Sequence, residues 1–226
     1  EDGMGNTHPP APRGKLVDQT AAEFIIDTVR ANPGEVTLVP VGPLTNLGLA
    51  LRLDPGIAGL VKEVVVMGGA AACPGNMTPV AEANIWHDAH AADIVMAAGW
   101  PLVLVGLDVT QKTVMSAQFR QEMFSADNAA VRFIEKIIPC YVQFADMVYR
   151  MDGGIYTHDP SAMAYLLRPE LFSTRSAPLF VETEGRCIGQ TVADWHHQWE
   201  PRPEVKVCLD VDSAGVLALI KERLTR

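Results

Sequence analysis

No run in this 226-residue sequence is apolar for long enough to carry a helix across a bilayer. Cysteine is scarce. Cys73, Cys140, Cys187 and Cys208 show neither Cys-x-x-Cys spacing nor an accompanying pair of histidines at ligand spacing. That argues against a zinc cluster or a disulfide framework; free thiols in a reducing, cytoplasmic setting are expected. Positive charge is also in deficit, with 18 Lys and Arg against 27 Asp and Glu and a net charge of −9. Such a chain is a poor partner for nucleic acid or an anionic membrane, and suits a cation or a neutral ligand. Neither Gly-x-Gly-x-x-Gly nor Gly-Lys-Ser/Thr occurs, so no nucleotide-phosphate loop is expected. No repeat, low-complexity tract or linker divides the sequence, and no stretch reads as a secretory leader.

What is present is the composition of a globular protein, 48% hydrophobic and 20% charged. Residues 1–16 are rich in Gly and Pro and read as loop. Asp18 is a candidate N-cap for a helix in which Ala21, Ala22, Ile25, Ile26 and Val29 recur at helical spacing until Asn32-Pro33-Gly34. Val36 to Val41, Glu63 to Met67 and Leu102 to Val105 are short apolar runs, the mark of strands buried on both faces. Helices are expected from Pro43 to Leu53 and, capped by Asp88, to Ala98. Alternating strands and helices with short connections predict an α/β fold with a mainly parallel open sheet flanked by helices. Residues 116–150 predict helix, with Phe133, Ile137, Tyr141, Phe144 and Val148 as a core-facing stripe. Residues 171–210 predict shorter, partly antiparallel strands, and Asp212 caps a last helix through Leu224.

Gly75 to Asp88, GNMTPVAEANIWHD, is the stretch richest in chemistry. Asn76, Glu82 and Asn84 stand among small or apolar residues just after a buried strand, where open α/β sheets hold ligands. Two amides and a carboxylate there suit a polyhydroxylated ligand; equally, the asparagines satisfy the loop's own backbone and Glu82 is solvated. His158-Asp159-Pro160 opens a helix, so Asp159 reads as a cap, while His158 reads as a proton donor or a satisfied core histidine. Thr45 sits at a strand-to-helix turn, its carbonyl open to a hard cation or the turn simply a cap. His196-His197 reads as exposed loop and Asp194 as structural, and Asp108-Val109-Thr110 ends a strand that faces the cleft beside Met67.

In this order, Val41-Gly-Pro-Leu-Thr-Asn46, Val65-Val-Met-Gly-Gly69, Gly75-Asn-Met-Thr-Pro-Val-Ala-Glu-Ala-Asn84, His158-Asp-Pro160, Thr191-Val-Ala-Asp194 and Val205-Lys-Val-Cys-Leu-Asp-Val-Asp212 resemble the nucleoside hydrolases. These are the calcium-dependent N-ribohydrolases of the inosine-uridine type. The resemblance spans nearly the whole chain, and its long Asn-x-Thr-Pro-x-Ala-Glu-x-Asn block is highly specific. It implies a hydrolase that splits the N-glycosidic bond of ribonucleosides with a calcium-bound water, in the salvage of purines or pyrimidines. Thr45 would give its carbonyl and Asp159 its carboxylate to Ca2+. Asn76, Glu82 and Asn84 would hold the ribose hydroxyls, with Met67 against the sugar, and His158 would help protonate the leaving base. A smaller helical and antiparallel appended region and a homodimer or homotetramer are also implied. Phe144, Tyr149 and Tyr156 lie where members contact the base, and purine and pyrimidine both stay open.

One departure is large. Members open with an Asp-x-Asp-x-x-x-Asp-Asp block that supplies most calcium carboxylates and the general base. The present Glu1-Asp-Gly-Met-Gly5 instead resembles the family's later His-Gly-x-x-Gly-x-Gly neighbourhood, and the sequence begins without an initiator Met. The expectation is a single nucleoside hydrolase domain over 1–226 that lacks its N-terminal portion. Asp159 and one carbonyl are too few for tight calcium binding. The alternative reading is a catalytically inactive fragment or a ribonucleoside-binding remnant.

Overall fold

The apolar runs become strands because each residue has a neighbour on both faces of a sheet. In the computed structural model, which describes residues 4–226, these strands are β1 (Thr37–Leu38), β2 (Glu63–Met67) and β3 (Leu102–Val105). A small ladder follows, β4 (Val114–Met115) antiparallel to β5 (Ile155–Tyr156). The C-terminal part adds β6 (Phe172–Val181), β7 (Thr191–Ala193) and β8 (Glu204–Val211). The main sheet has the order β1-β2-β3-β8-β6-β7. The pairs β1–β2, β2–β3 and β3–β8 are parallel; β6 runs antiparallel to both β8 and β7. Residues 1–3 of the expected N-terminal loop lie outside the described residues.

Side chains alternate across the sheet and so divide the core in two. Val64, Val66, Leu102 and Leu104 face α1 (Ala21–Ala31), α2 (Thr45–Leu53) and α4 (Ala89–Met96). Val65, Met67, Val103 and Val105 face the other way, toward α8 (His158–Leu167) and α9 (Ser213–Leu224). Asp88 and Asp212 cap α4 and α9 through the amides of Ala91 and Gly215, as the sequence predicts. Between β2 and α4 lies α3 (Ala83–His87), and α5 (Leu107–Thr110) follows β3. Among the described residues no helix is long and apolar enough to cross a membrane.

Several local expectations are corrected. The cap of α1 is Thr20 in a capping box with Glu23, not Asp18, because the reciprocal bonds satisfy two first-turn amides. The first strand is two residues long, with Val41 exposed beyond it. The predicted helix over 116–150 is two, α6 (Ala117–Phe124) and α7 (Ala129–Tyr149), since Asn128 caps the second by accepting from the Val131 amide. The stripe of Phe133, Tyr141, Phe144 and Val148 is exposed instead of core-facing. The core-facing positions of α7 are Val131, Ile134, Ile138, Val142 and Ala145, an equally helical stripe on the neighbouring face. β6 is the longest strand at ten residues, where short ones were expected.

Candidate functional site

The site grows from the carboxyl ends of β2 and β3. After Met67 the chain turns through Gly68-Gly69, and after Val105 through Gly106 into α5. Leu107 donates its amide to the Gly69 carbonyl at 2.9 Å. A Cβ on Gly106 would lie 2.8 Å from that carbonyl oxygen, so the two strand ends approach closely only because Gly106 has no side chain. Asp108 is buried and accepts the amides of Ala71 and Ala72 at 3.0 and 2.7 Å, which ties the β2 loop to α5.

The loop from Gly75 to Glu82 is wound around one carbonyl. The amides of Asn76, Met77 and Thr78 all converge on the Ala81 oxygen at 3.0–3.3 Å. A Cβ on Gly75 would come within 2.3 Å of the Ala81 backbone, which makes glycine obligatory there. Asn76 Oδ1 accepts the Ala83 amide at 3.0 Å, and Asn84 Nδ2 donates to the Met67 carbonyl at 3.1 Å. Glu82 is 2% exposed, not solvated. Its carboxylate accepts the amides of Asn84, Ile85 and Gly69 at 2.9, 3.2 and 3.0 Å. It therefore caps α3 and clamps β2 to the loop. The Asn84 Oδ1, one lone pair of Glu82 and the Asn76 Nδ2, which faces the Tyr149 hydroxyl, are what this group can still offer a ligand.

The second group stands at the head of α8. Thr157 is the N-cap residue and makes no side-chain cap bond, so Asp159 is not the cap that its place before a proline suggested. His158 is half-buried, with Nδ1 2.8 Å from the Thr110 hydroxyl oxygen and its ring 5.5 Å from that of Tyr156. Ring contacts continue from Tyr156 to Tyr149, Phe144 and Tyr141. A cavity of about 570 Å³ is lined by Met115, Ile137, Tyr141, Tyr156, His158 and Asp159, large enough for a nucleoside-sized ligand. Met67, Asn76, Glu82 and Asn84 do not line it. Their links to it are indirect: Asn76 contacts Tyr149, which packs on Tyr156 in the cavity wall, and the charge of Asp159 is felt at Glu82.

The electrostatics are those of a site short of positive charge. Burial raises the pKa of Glu82 against the pull of its three backbone amides, and the charge of Asp159 raises it further. Crowding by the chain also raises that of Asp159, although it stands at the cavity rim. No basic side chain opposes either shift. Burial lowers the pKa of His158 to about 4. The ring is thus neutral near pH 7, and what it presents is an N–H hydrogen bond, not the proton of an imidazolium.

The other sequence candidates lie elsewhere. Thr45 is the first residue of α2, so its carbonyl is directed along the helix to the amide four residues on. Its hydroxyl bonds Asp88 at 2.5 Å. One helical bond leaves the Thr45 carbonyl a second lone pair, so its place at the first turn neither uses nor removes the oxygen expected for a cation. Asp194 accepts the amides of His196, Gln198 and Trp199 and is structural, with His196-His197 exposed beside it. The four cysteines are free. Thr110 stands in the sequence only as the end of Asp108-Val109-Thr110, and its pairing with His158 has no sequence signal.

A divalent cation would suit Asp159, a desolvated carboxylate without a counter-charge. It would be one ligand. Calcium takes six to eight oxygens, and among the described residues no three His, Cys, Asp or Glu side chains gather. The described residues alone do not complete such a centre.

The model of the inosine-uridine preferring nucleoside hydrolase family matches residues 1–218. The chain is 36% identical to a probable uridine nucleosidase 2 of Arabidopsis thaliana over 231 residues, covering 99% of this chain and 71% of that protein. Among solved structures it resembles the plant nucleoside hydrolase PpNRh1 at a TM-score of 0.94 and 35% identity, over 99% of this chain and 72% of that one. It also resembles a purine-preferring ribonucleoside hydrolase from Gardnerella vaginalis at a TM-score of 0.91 and 31% identity, over 98% and 70% of the two chains.

Proposed function

The chain belongs to the inosine-uridine preferring nucleoside hydrolase family, and from that premise we propose how its own residues serve the reaction. The reaction is hydrolysis of the N-glycosidic bond of ribonucleosides, which frees the base and ribose. Bond breaking places positive charge on the sugar and negative charge on the departing base. Asn84 Oδ1, Asn76 Nδ2 and the remaining lone pair of Glu82 hold the ribose hydroxyls, and Met67 packs beneath the ring. Hydroxyl donors suit this corner because its acidic groups lack cationic partners. Contacts of this kind fix the ring for attack and favour a sugar that becomes cationic.

The base occupies the cavity beside Tyr141, Tyr156 and His158. His158 offers its N–H to the base as negative charge gathers there. Asp159 would be one ligand of a calcium ion, which when bound would supply charge to orient the substrate and to ease deprotonation of water. The protein is a homodimer or homotetramer acting in the cytoplasm, in nucleoside salvage.

The observation that carries this reading is His158 and Asp159 together on the wall of one nucleoside-sized cavity, with Glu82 within reach of the Asp159 charge. The test is release of reducing sugar from uridine and inosine with calcium supplied. His158→Ala is expected to lower kcat about 10²- to 10³-fold on the better substrate, the range for losing one preorganised hydrogen-bond donor. Unchanged turnover in that variant contradicts the role of His158, and no response of the wild type to a calcium chelator contradicts that of Asp159.

A further inference from the structure

The Thr110 side chain is fully buried, and its hydroxyl oxygen lies 2.8 Å from His158 Nδ1. Among the described residues this is the hydroxyl's one hydrogen-bond partner. A buried hydroxyl must place its proton on an acceptor or lose that bond outright. Among the described residues the only acceptor offered is the ring nitrogen. If Nδ1 carried a hydrogen instead, the Thr110 proton would have nowhere to go. The pair is satisfied in one arrangement: Thr110 donates, Nδ1 accepts, and the proton of the neutral ring sits on Nε2, on the side away from Thr110.

Thr110 is itself held firmly. It closes α5, with its amide bonded to the Gly106 carbonyl at 3.1 Å. The same short helix is pinned to the β2 loop by Asp108 and by Leu107. Just beyond it the Thr113 carbonyl accepts both the amide and the hydroxyl of Thr157, at 3.1 and 3.0 Å. Thr157 immediately precedes His158. The histidine is therefore keyed twice to the segment that follows β3, through its ring to Thr110 and through the preceding residue to Thr113.

We propose that Thr110 is the positioning residue for His158, fixing the imidazole as the Nε2–H tautomer and turning that N–H to the cavity where the leaving base sits. The inference rests on the proposed role of His158 as donor to that base. The ring keeps its proton throughout: Nε2–H hydrogen-bonds the departing base, whose negative charge is later neutralised by a proton from solvent.

The test uses the whole protein with ¹⁵N-labelled histidine. At neutral pH, long-range ¹H–¹⁵N spectra are expected to show a pyridine-like Nδ1 and a pyrrole-like Nε2 for His158. Thr110→Val keeps the shape and removes the hydroxyl, and is expected to mix the tautomers; Thr110→Ser is expected to restore the single one. A pyrrole-like Nδ1 in the wild type, or an unchanged tautomer in Thr110→Val, overturns the proposal. In kinetics Thr110→Val is expected to lower kcat on uridine or inosine about tenfold or more, with KM little moved and Thr110→Ser restoring most of it. Hydrolysis of p-nitrophenyl ribofuranoside, whose leaving group needs no help, is expected to change little. Equal losses on both substrates would mean a merely structural residue and sink the idea. If His158→Ala leaves uridine and inosine turnover intact, the role of His158 itself falls. If His158→Ala is slow and Thr110→Val is not, only the positioning role falls.

Discussion

Glu82 and His158 show how burial changes what a side chain is for. Glu82 has the residue type that a sugar site needs, yet most of its bonding capacity goes to three backbone amides. Its first task is to hold two chain segments together, and only a residual lone pair is left for a ligand. His158 is a neutral donor because its pKa falls from 6.5 to about 4 on burial. The sign of the consequence follows from linkage. As pH falls, the unfolded chain takes up this proton before the folded one does. The stability that depends on a neutral His158 is thus complete above pH 6.5 and is lost progressively down to about pH 4. At 1.36 kcal/mol per pH unit the loss is at most about 3 kcal/mol. Urea unfolding of the wild type and of His158→Gln across that window checks this: the variant is expected to lose less stability on acidification. Parallel curves would show that the histidine does not titrate in this way.

Among the elements, the Gly75–Glu82 loop and α5 are the two that carry the site. In the loop, three amides share one carbonyl, and Gly75 passes so close to Ala81 that a methyl group has no room. Gly75→Ala must open the loop, which moves Asn76 and Glu82 together. The expected result is an increase of about tenfold or more in KM for a nucleoside, since displacements near 1 Å cost that much in a positioned site. Thermal unfolding should shift only modestly, because the main sheet is untouched. A KM within twofold of the wild type would mean that this loop does not grip the substrate. The α7 helix makes the complementary point. Two apolar stripes run along it at equal spacing, and only one can face the core. The other, with Tyr141 and Phe144, is left near the cavity.

At the scale of the whole molecule, the parallel half of the sheet and its antiparallel extension are joined by β8 and by a charged clamp. Arg202 meets both oxygens of Asp93 on α4, at 2.6 and 3.2 Å, and its guanidinium lies 4.2 Å from the centre of the Phe180 ring on β6. The Val181 amide also donates to Asp93, at 3.1 Å. Arg202→Lys keeps the charge and loses the fork and the stacking, and is expected to cost about 1–2 kcal/mol. Arg202→Ala strands Asp93 with its charge half-buried, and is expected to cost about 3 kcal/mol. Chemical denaturation measures both, and losses under about 0.5 kcal/mol would place the clamp among ordinary surface ion pairs.

What the sequence by itself determined is what depends on near neighbours. The uninterrupted apolar runs of β2 and β3 could only be strands covered on both faces, and their bounds were legible to the residue. Asp88 and Asp212 announced the helices they cap, and the Asn-x-Thr-Pro-x-Ala-Glu-x-Asn block announced the family. Tertiary structure decided the rest. It chose the buried stripe of α7, placed β8 between β3 and β6, and committed Glu82 to the backbone. It also gave His158 a partner 48 residues earlier in the chain. The physical reason is common to all of these. Periodicity and capping are satisfied within a few residues, whereas burial and the pairing of buried polar groups are settled only when distant segments pack together.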